Sequence, residues 1–242
     1  MKLECPYPYA GRCAAVVVTC QRMHGSTTLP RCTSSTVMPA PRPSLLLLDF
    51  DGVLASYARP KRMAALAAMA NCTPAQVHAV LFAQGLERSY DSGDIDTPTY
   101  LARLSDAVGQ RIDPAAWVAA RVAACRADTS VVAQVLAVSA HTPVAVLTNN
   151  GPLMVEAIEQ IVPALFPLLR GRVLCSGALG GRKPDARVYA RALAQLGARA
   201  AHTLFVDDLF VNVRGARAAG LEADTVRDAR GLRRVLKRYG LA

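Results

Sequence analysis

The residues best suited to do chemistry fall in four short groups. Asp49-Phe50-Asp51-Gly52 closes a run of four leucines, Leu45 to Leu48, and Thr148-Asn149-Asn150 closes the apolar run Pro143 to Leu147. Arg182-Lys183-Pro184-Asp185 follows the glycine-rich stretch Ser176 to Gly181, and Asp207-Asp208 closes Thr203-Leu204-Phe205-Val206. Carboxylates packed together repel one another, and a hard divalent cation bound through oxygen relieves that repulsion; Mg²⁺ fits, held by a few carboxylates plus substrate phosphate and water. A carboxylate can also attack phosphorus, splitting one hard step into two. The transferred group then needs donors for its oxygens, and Lys183 and Thr148 are of the right type. Singly, each group has an ordinary reading: a solvated turn for Asp49-x-Asp51, a helix N-cap for Thr148, a surface charge for Lys183. Their joint chemistry requires that they meet.

The elements around them provide for that meeting. Each apolar run reads as a buried strand, and helical patterns alternate with the strands from residue 129 onward, which implies an α/β fold with a parallel sheet and helices on both faces. In such a sheet the strand ends lie along one edge, where ligands bind. Residues 57–127 read instead as three or four helices with no strand among them. Thr73-Pro74, Thr97-Pro98 and Asp113-Pro114 each place an N-cap residue before a proline at a helix start. Tyr90 to Asp96 reads as a polar, glycine-containing turn. An all-helical block between the first and second strands is most simply a cap. The expected organisation is therefore a tail over residues 1–43, a core over 44–56 and 128–242, and a helical cap over 57–127. The tail reads as disordered or non-native, with Met38 a natural start.

The chain has 242 residues, 52% of them hydrophobic, which is ample for a buried core. No apolar run approaches the roughly 20 residues that span a bilayer. The formal charge of +10 is concentrated at the ends. Lys2, Arg12, Arg22, Arg31 and Arg42 face Glu4 alone before residue 45, while Arg227, Arg230, Arg233, Arg234, Lys237 and Arg238 face Asp228 alone after residue 224. The middle is close to neutral, which argues against a nucleic-acid or membrane partner. Seven cysteines form no disulfide framework. Cys72, Cys125 and Cys175 read as buried free thiols of a cytoplasmic protein, and Cys5, Cys13, Cys20 and Cys32 lack metal-ligand spacing. The four histidines show no ligand spacing either, and Trp117 reads as core.

Asp49-Phe50-Asp51-Gly52-Val53, Thr148-Asn149-Asn150, Lys183-Pro184 and Val206-Asp207-Asp208 resemble, in order, the four motifs of the haloacid dehalogenase-like hydrolase superfamily, over about residues 44–240. The stretch Ser176 to Asp185, with Tyr189 and with Asn212-Val213 after Asp207-Asp208, is similar to the subgroup of bacterial glucose-1-phosphate phosphatases and the phosphatase domain of soluble epoxide hydrolases. The resemblance implies a Rossmann-like core with a helical cap after the first strand. It makes Asp49 the nucleophile and a metal ligand. Asp51 becomes the general acid and base, with its carbonyl on Mg²⁺. Thr148 and the following amide hold phosphoryl oxygens, Asn149 lines the site, and Lys183 neutralises nucleophile and phosphate. Asp208 is the direct metal ligand, and Asp207 acts directly or through water. Asn212 stands where many relatives have aspartate. The family's dehalogenases lack the second aspartate, so Asp51 favours phosphate chemistry. The expected activity is Mg²⁺-dependent hydrolysis of a small phosphorylated metabolite, such as a sugar phosphate, through an aspartyl-phosphate. The alternatives are a phosphomutase and a non-catalytic ligand- or protein-binding regulator. Arg59, Arg88 and Tyr90 lie in the cap, where they would meet the rest of a substrate or remain ordinary surface.

Overall fold

The structure is a computed structural model that describes residues 42–242. Expectations for the four N-terminal cysteines, and for all of the tail before Arg42, lie outside the described residues.

The first strand, β1 (Leu45–Leu48), is buried on both faces. Successive side chains of a strand point to opposite faces. Leu46 and Leu48 accordingly enter one apolar cluster, and Leu45 and Leu47 enter another on the far side of the sheet. The chain continues through β2 (Ala55–Tyr57), α1 (Arg59–Ala70), α2 (Pro74–His78), a π-helical turn at Ala79–Ala83, α3 (Leu86–Ser92), α4 (Thr97–Val108), α5 (Pro114–Ala123) and β3 (Cys125–Ala127). From there helices and strands alternate: α6 (Thr129–Ser139), β4 (Val144–Thr148), α7 (Met154–Ile161), β5 (Val173–Cys175), α8 (Ser176–Leu179), α9 (Ala186–Leu196), β6 (Thr203–Asp207), α10 (Phe210–Ala218), β7 (Glu222–Thr225) and α11 (Ala229–Arg238).

Among the described residues one sheet has the order β5-β4-β1-β6-β7, with every neighbouring pair parallel. β1 is central, with Leu46 opposite Val144 on one side and Leu204 on the other. The chain builds outward from β1 first through β4 and β5, then through β6 and β7, so the order reverses beside β1. A crevice at the carboxyl ends of the strands forms at such a reversal. No helix of the described residues is long and apolar enough to cross a membrane.

The helical stretch departs from expectation in three places. It is entered and left by strands: β2 and β3 pair antiparallel, with Ala55 opposite Ala127 and Tyr57 opposite Cys125, so residues 57–127 are not free of strand. Three-residue strands are too short for an alternation to register in the sequence. The Tyr90–Asp96 turn begins late, because α3 runs to Ser92 and ends on Gly93 at φ 79°. Asp96, not Thr97, caps α4, accepting from the Thr99 N–H at 2.9 Å. Thr73 and Asp113 do cap α2 and α5, Thr73 in a reciprocal capping box with Gln76. Trp117 is core. Cys175 is buried as expected, but Cys72 and Cys125 are only half-buried.

Candidate active site

The loops that follow β1, β4 and β6 converge on a cavity of about 650 Å³. Asp49, Asp51, Thr148, Asn149 and Asp208 line it, while Lys183 and Asp207 form its fully buried backing. The Lys183 ammonium lies 2.9 Å from Asp49 Oδ1 and 2.8 Å from Asp207 Oδ2, and donates to the Leu147 carbonyl at 2.9 Å. Burial alone would lower its pKa, but Asp49 and Asp207 outweigh burial and raise it. Its placement depends on Asn149, whose side chain donates to the Lys183 carbonyl and accepts from the Lys183 N–H, at 3.0 and 2.8 Å.

Asp207 is saturated. Its Oδ1 accepts from the Leu209 N–H at 2.8 Å and from Asn212 Nδ2 at 3.0 Å, and its Oδ2 accepts from Lys183 and again from Asn212 at 3.0 Å. A carboxylate offers about four acceptor positions, so this one has none left for a further ligand. Asp208 is freer, half-buried at the cavity wall. It comes close because residue 52 is glycine: φ is +83°, and a Cβ there would collide with the Asp208 carboxylate.

Carboxylate oxygens of Asp49, Asp207 and Asp208 all lie within 4.8 Å of one another. Against these three stands Lys183, so negative charge is in excess. Burial, with Asp207 and Asp51 adding to it and Lys183 opposing, pushes the Asp49 carboxyl up to about 8. Burial and Asp207 likewise raise Asp208. An all-oxygen donor set with surplus negative charge suits a hard divalent cation, and of the three carboxylates Asp49 and Asp208 are the ones that line the cavity. Asp207 serves by holding Lys183.

Asp51 has a different environment. Its Oδ2 accepts from Asn150 Nδ2 at 3.2 Å and from Arg121 Nη2 at 2.5 Å. Arg121 comes from α5 and is buried, with its guanidinium 3.7 Å from the centre of the Tyr57 ring. Asn150 also donates to Thr148 Oγ1 at 2.7 Å, which fixes that hydroxyl. A second arginine is buried in the helical insert. Arg62 Nη1 lies 2.5 Å from Glu87 Oε1, Tyr100 donates to Glu87 Oε2 at 2.6 Å, and Trp117 Nε1 donates to Tyr100 at 3.0 Å.

Arg121, Asn150 and the Arg62–Glu87 pair are absent from the sequence-based list of site residues. One signal was available. Arg121 follows Trp117 by four residues, and Arg62 precedes Leu66 by four, so each charge sits in the apolar stripe of its helix. Tyr90 does not face the cavity. Its hydroxyl hydrogen-bonds Thr97 at 2.8 Å and accepts from the Leu153 N–H at 3.1 Å, joining α3 to the core.

A parallel five-stranded sheet with an acidic crevice at its carboxyl edge places the chain among α/β proteins that bind ligands beyond their strand ends. Residues 43–220 match the haloacid dehalogenase-like hydrolase family, and the chain belongs to it. Over 80 residues the chain is 41% identical to phosphatase MT3486 of Mycobacterium tuberculosis (strain CDC 1551 / Oshkosh). That match covers 33% of this chain and 36% of the relative, so the chain spans about a third of the relative's length. The fold is similar to the magnesium complex of the HAD family enzyme bt-2542 from Bacteroides thetaiotaomicron, at a TM-score of 0.61 and 15% identity over 78% of this chain and 94% of that one. It is also similar to L-2-haloacid dehalogenase from Xanthobacter autotrophicus with chloropropionic acid covalently bound, at a TM-score of 0.55 and 20% identity over 83% and 84% of the two chains.

Proposed function

We propose that the protein is a Mg²⁺-dependent phosphomonoesterase acting on a small phosphorylated metabolite through an aspartyl-phosphate on Asp49. The observation that carries this reading is the separate fixing of two carboxylates two residues apart: Asp49 against Lys183, Asp51 against Arg121 and Asn150. An Asp49 oxygen attacks phosphorus as the ester P–O bond breaks, and Asp51 gives its proton to the leaving alkoxide. In the second step Asp51 takes a proton from water as the water oxygen attacks phosphorus, and the P–O bond to Asp49 breaks to release phosphate. Lys183 neutralises Asp49 and the phosphoryl group, and the Thr148 hydroxyl donates to a phosphoryl oxygen. Asp49, Asp208 and the Asp51 carbonyl would hold Mg²⁺, which would supply charge neutralisation to the transferring group. The phosphatase name of the mycobacterial relative and the magnesium complex of the Bacteroides enzyme support this reading. The helical insert then acts as a cap over the leaving group.

The experiment is release of inorganic phosphate from an aryl phosphate and a panel of phosphorylated metabolites, sugar phosphates included. The native chain is compared with Asp49→Asn, with and without Mg²⁺. Mg²⁺-dependent release that Asp49→Asn abolishes supports the proposal. Isomerised product without net phosphate points to a mutase, and halide released from 2-haloacids points to dehalogenation. No product from any substrate removes the catalytic reading.

A further inference from the structure

We propose that the insert side of the cavity receives a second anionic group, so that the substrate is a phosphate monoester that also carries a carboxylate or another phosphate. This rests on the phosphomonoesterase reading and names the substrate class for it.

The charges lining the cavity balance in number but not in place: of the five acids, Asp49 and Asp208 lie at the core side, while Asp51, Glu87 and Asp91 are each met by an arginine. Arg59, Arg62, Arg88, Arg121 and Arg182 line it. Two are spoken for at 2.5 Å, Arg62 by Glu87 and Arg121 by Asp51. Arg182 approaches Asp91 only to 3.8 Å, and its buried Nε has no hydrogen-bond partner. Arg59 and Arg88 form no ion pair among the described residues.

An arginine on a helix can pair with a carboxylate three or four residues away. Arg88 is denied that route. The adjacent acid is Glu87, held by Arg62, and the acid three residues on is Asp91, buried and facing Arg182. Arg59 is held rather than free, with its guanidinium 4.3 Å from the centre of the Phe82 ring, and Phe82 also lines the cavity. Deeper in, Arg121 is buried and paired through Nη2, while its Nη1 is buried with no partner.

The phosphoryl group does not consume this set. Lys183, Thr148 and a cation on Asp49 and Asp208 already serve it, from the core side. What remains is guanidinium on the insert side, whose planar fork matches carboxylate and phosphate oxygens in pairs. A neutral sugar or alkyl leaving group would leave those charges facing apolar or hydroxyl surface.

The test uses the full chain with Mg²⁺ and measures kcat/KM for phosphate release from three esters of similar size. One is a glycerol-type monophosphate, one a phosphorylated hydroxy acid, and one a bisphosphate. The second anion should raise kcat/KM at least about tenfold over the glycerol-type ester, mostly through KM. The better of the two anionic esters tells carboxylate from phosphate. Arg88→Gln and Arg59→Gln, at exposed positions, should each bring the ratio toward one, and Arg88→Glu should bring it below one. Added salt should shrink it. Turnover with a ratio near one, or a ratio that none of the variants moves, overturns this inference alone. No turnover on any ester, the aryl phosphate included, overturns the phosphomonoesterase reading and this inference with it.

Discussion

Lys183→Met removes an ammonium and keeps the length and apolar bulk of the stem. In the native chain that ammonium lies within 2.9 Å of both Asp49 and Asp207, and all three groups are buried. Taking one partner out of a buried ion pair leaves an uncompensated charge and costs about 3–5 kcal/mol. Asp207 keeps its bonds from Asn212 and the Leu209 N–H, so the low end of that range is expected. For a domain of this size each kcal/mol moves the melting temperature by about 2–4 °C, which gives a fall of roughly 6–12 °C at the low end. The assay is thermal unfolding in EDTA across pH. Burial raises the folded Asp49 carboxyl to about 8. An unfolded aspartate titrates near about 4, so between these values the folded state holds a proton that the unfolded chain has released. Stability of the native chain should therefore fall as pH rises through that window and level off above it. Without the ammonium the folded value moves higher, so the variant should go on losing stability above pH 8. A variant that melts within about 2 °C of the native chain would refute the idea that Lys183 neutralises this cluster.

Three further outcomes are expected. Asp51→Asn should lower kcat for phosphate release by about 10²–10⁴, and should also lower the melting temperature because buried Arg121 loses its charged partner; a loss of kcat under tenfold would remove Asp51 as acid and base. Gly52→Ala should destabilise by about 1–3 kcal/mol, since it forces alanine to positive φ and pushes Asp208 away. Calorimetric titration should also show weaker Mg²⁺ binding in that variant, and unchanged binding would count against Asp208 as a ligand. Arg62→Met should cost about 3–5 kcal/mol in urea unfolding, and adding Glu87→Leu should restore much of it. Burial pushes the Glu87 carboxyl up, but Arg62 holds it below its ordinary range. Its contribution is therefore present above the unfolded carboxylate value and lost as pH falls through the lower folded one, so the double variant should show less acid sensitivity than the native chain.

The core was legible because its signals are long and locally consistent. Four leucines ending in Asp49-Phe50-Asp51 admit few readings, and each later apolar run is followed within a few residues by a polar cluster that the parallel sheet brings to the same edge. Asp49, Asp51, Thr148, Asn149 and Asp208 line one cavity, with Lys183 and Asp207 directly behind it, because strand direction alone fixes which end faces the crevice. The insert was less legible. β2 and β3 are each three residues long and exist through their pairing across seventy residues of sequence. The partners of Arg62 and Arg121 are set by tertiary packing, so the sequence could mark those positions as anomalous but could not say which carboxylate each would meet. The resemblance made Asp208 the direct ligand and left Asp207 direct or through water; what the sequence could not show is that donors from Leu209, Asn212 and Lys183 fill the Asp207 carboxylate.

Two carboxylates in one short loop take different work when their surroundings differ. Asp49 is gripped from the core, by Lys183 and by the Phe50 N–H at 2.7 Å. Asp51 is gripped from the insert by Arg121 and from the end of β4 by Asn150. In the proposed mechanism the group that reaches the leaving oxygen is thus the one tied to the insert, and the group that reaches phosphorus is the one tied to the sheet. A substrate oriented to satisfy both turns its phosphate toward Lys183 and its remaining atoms toward α1, α3 and α5. Those are the helices that carry Arg59, Arg88 and Arg121. On the proposed roles of acid and nucleophile, substrates would be told apart on those helices, and exchanging their arginines should change which ester is hydrolysed before it changes how the ester bond is broken.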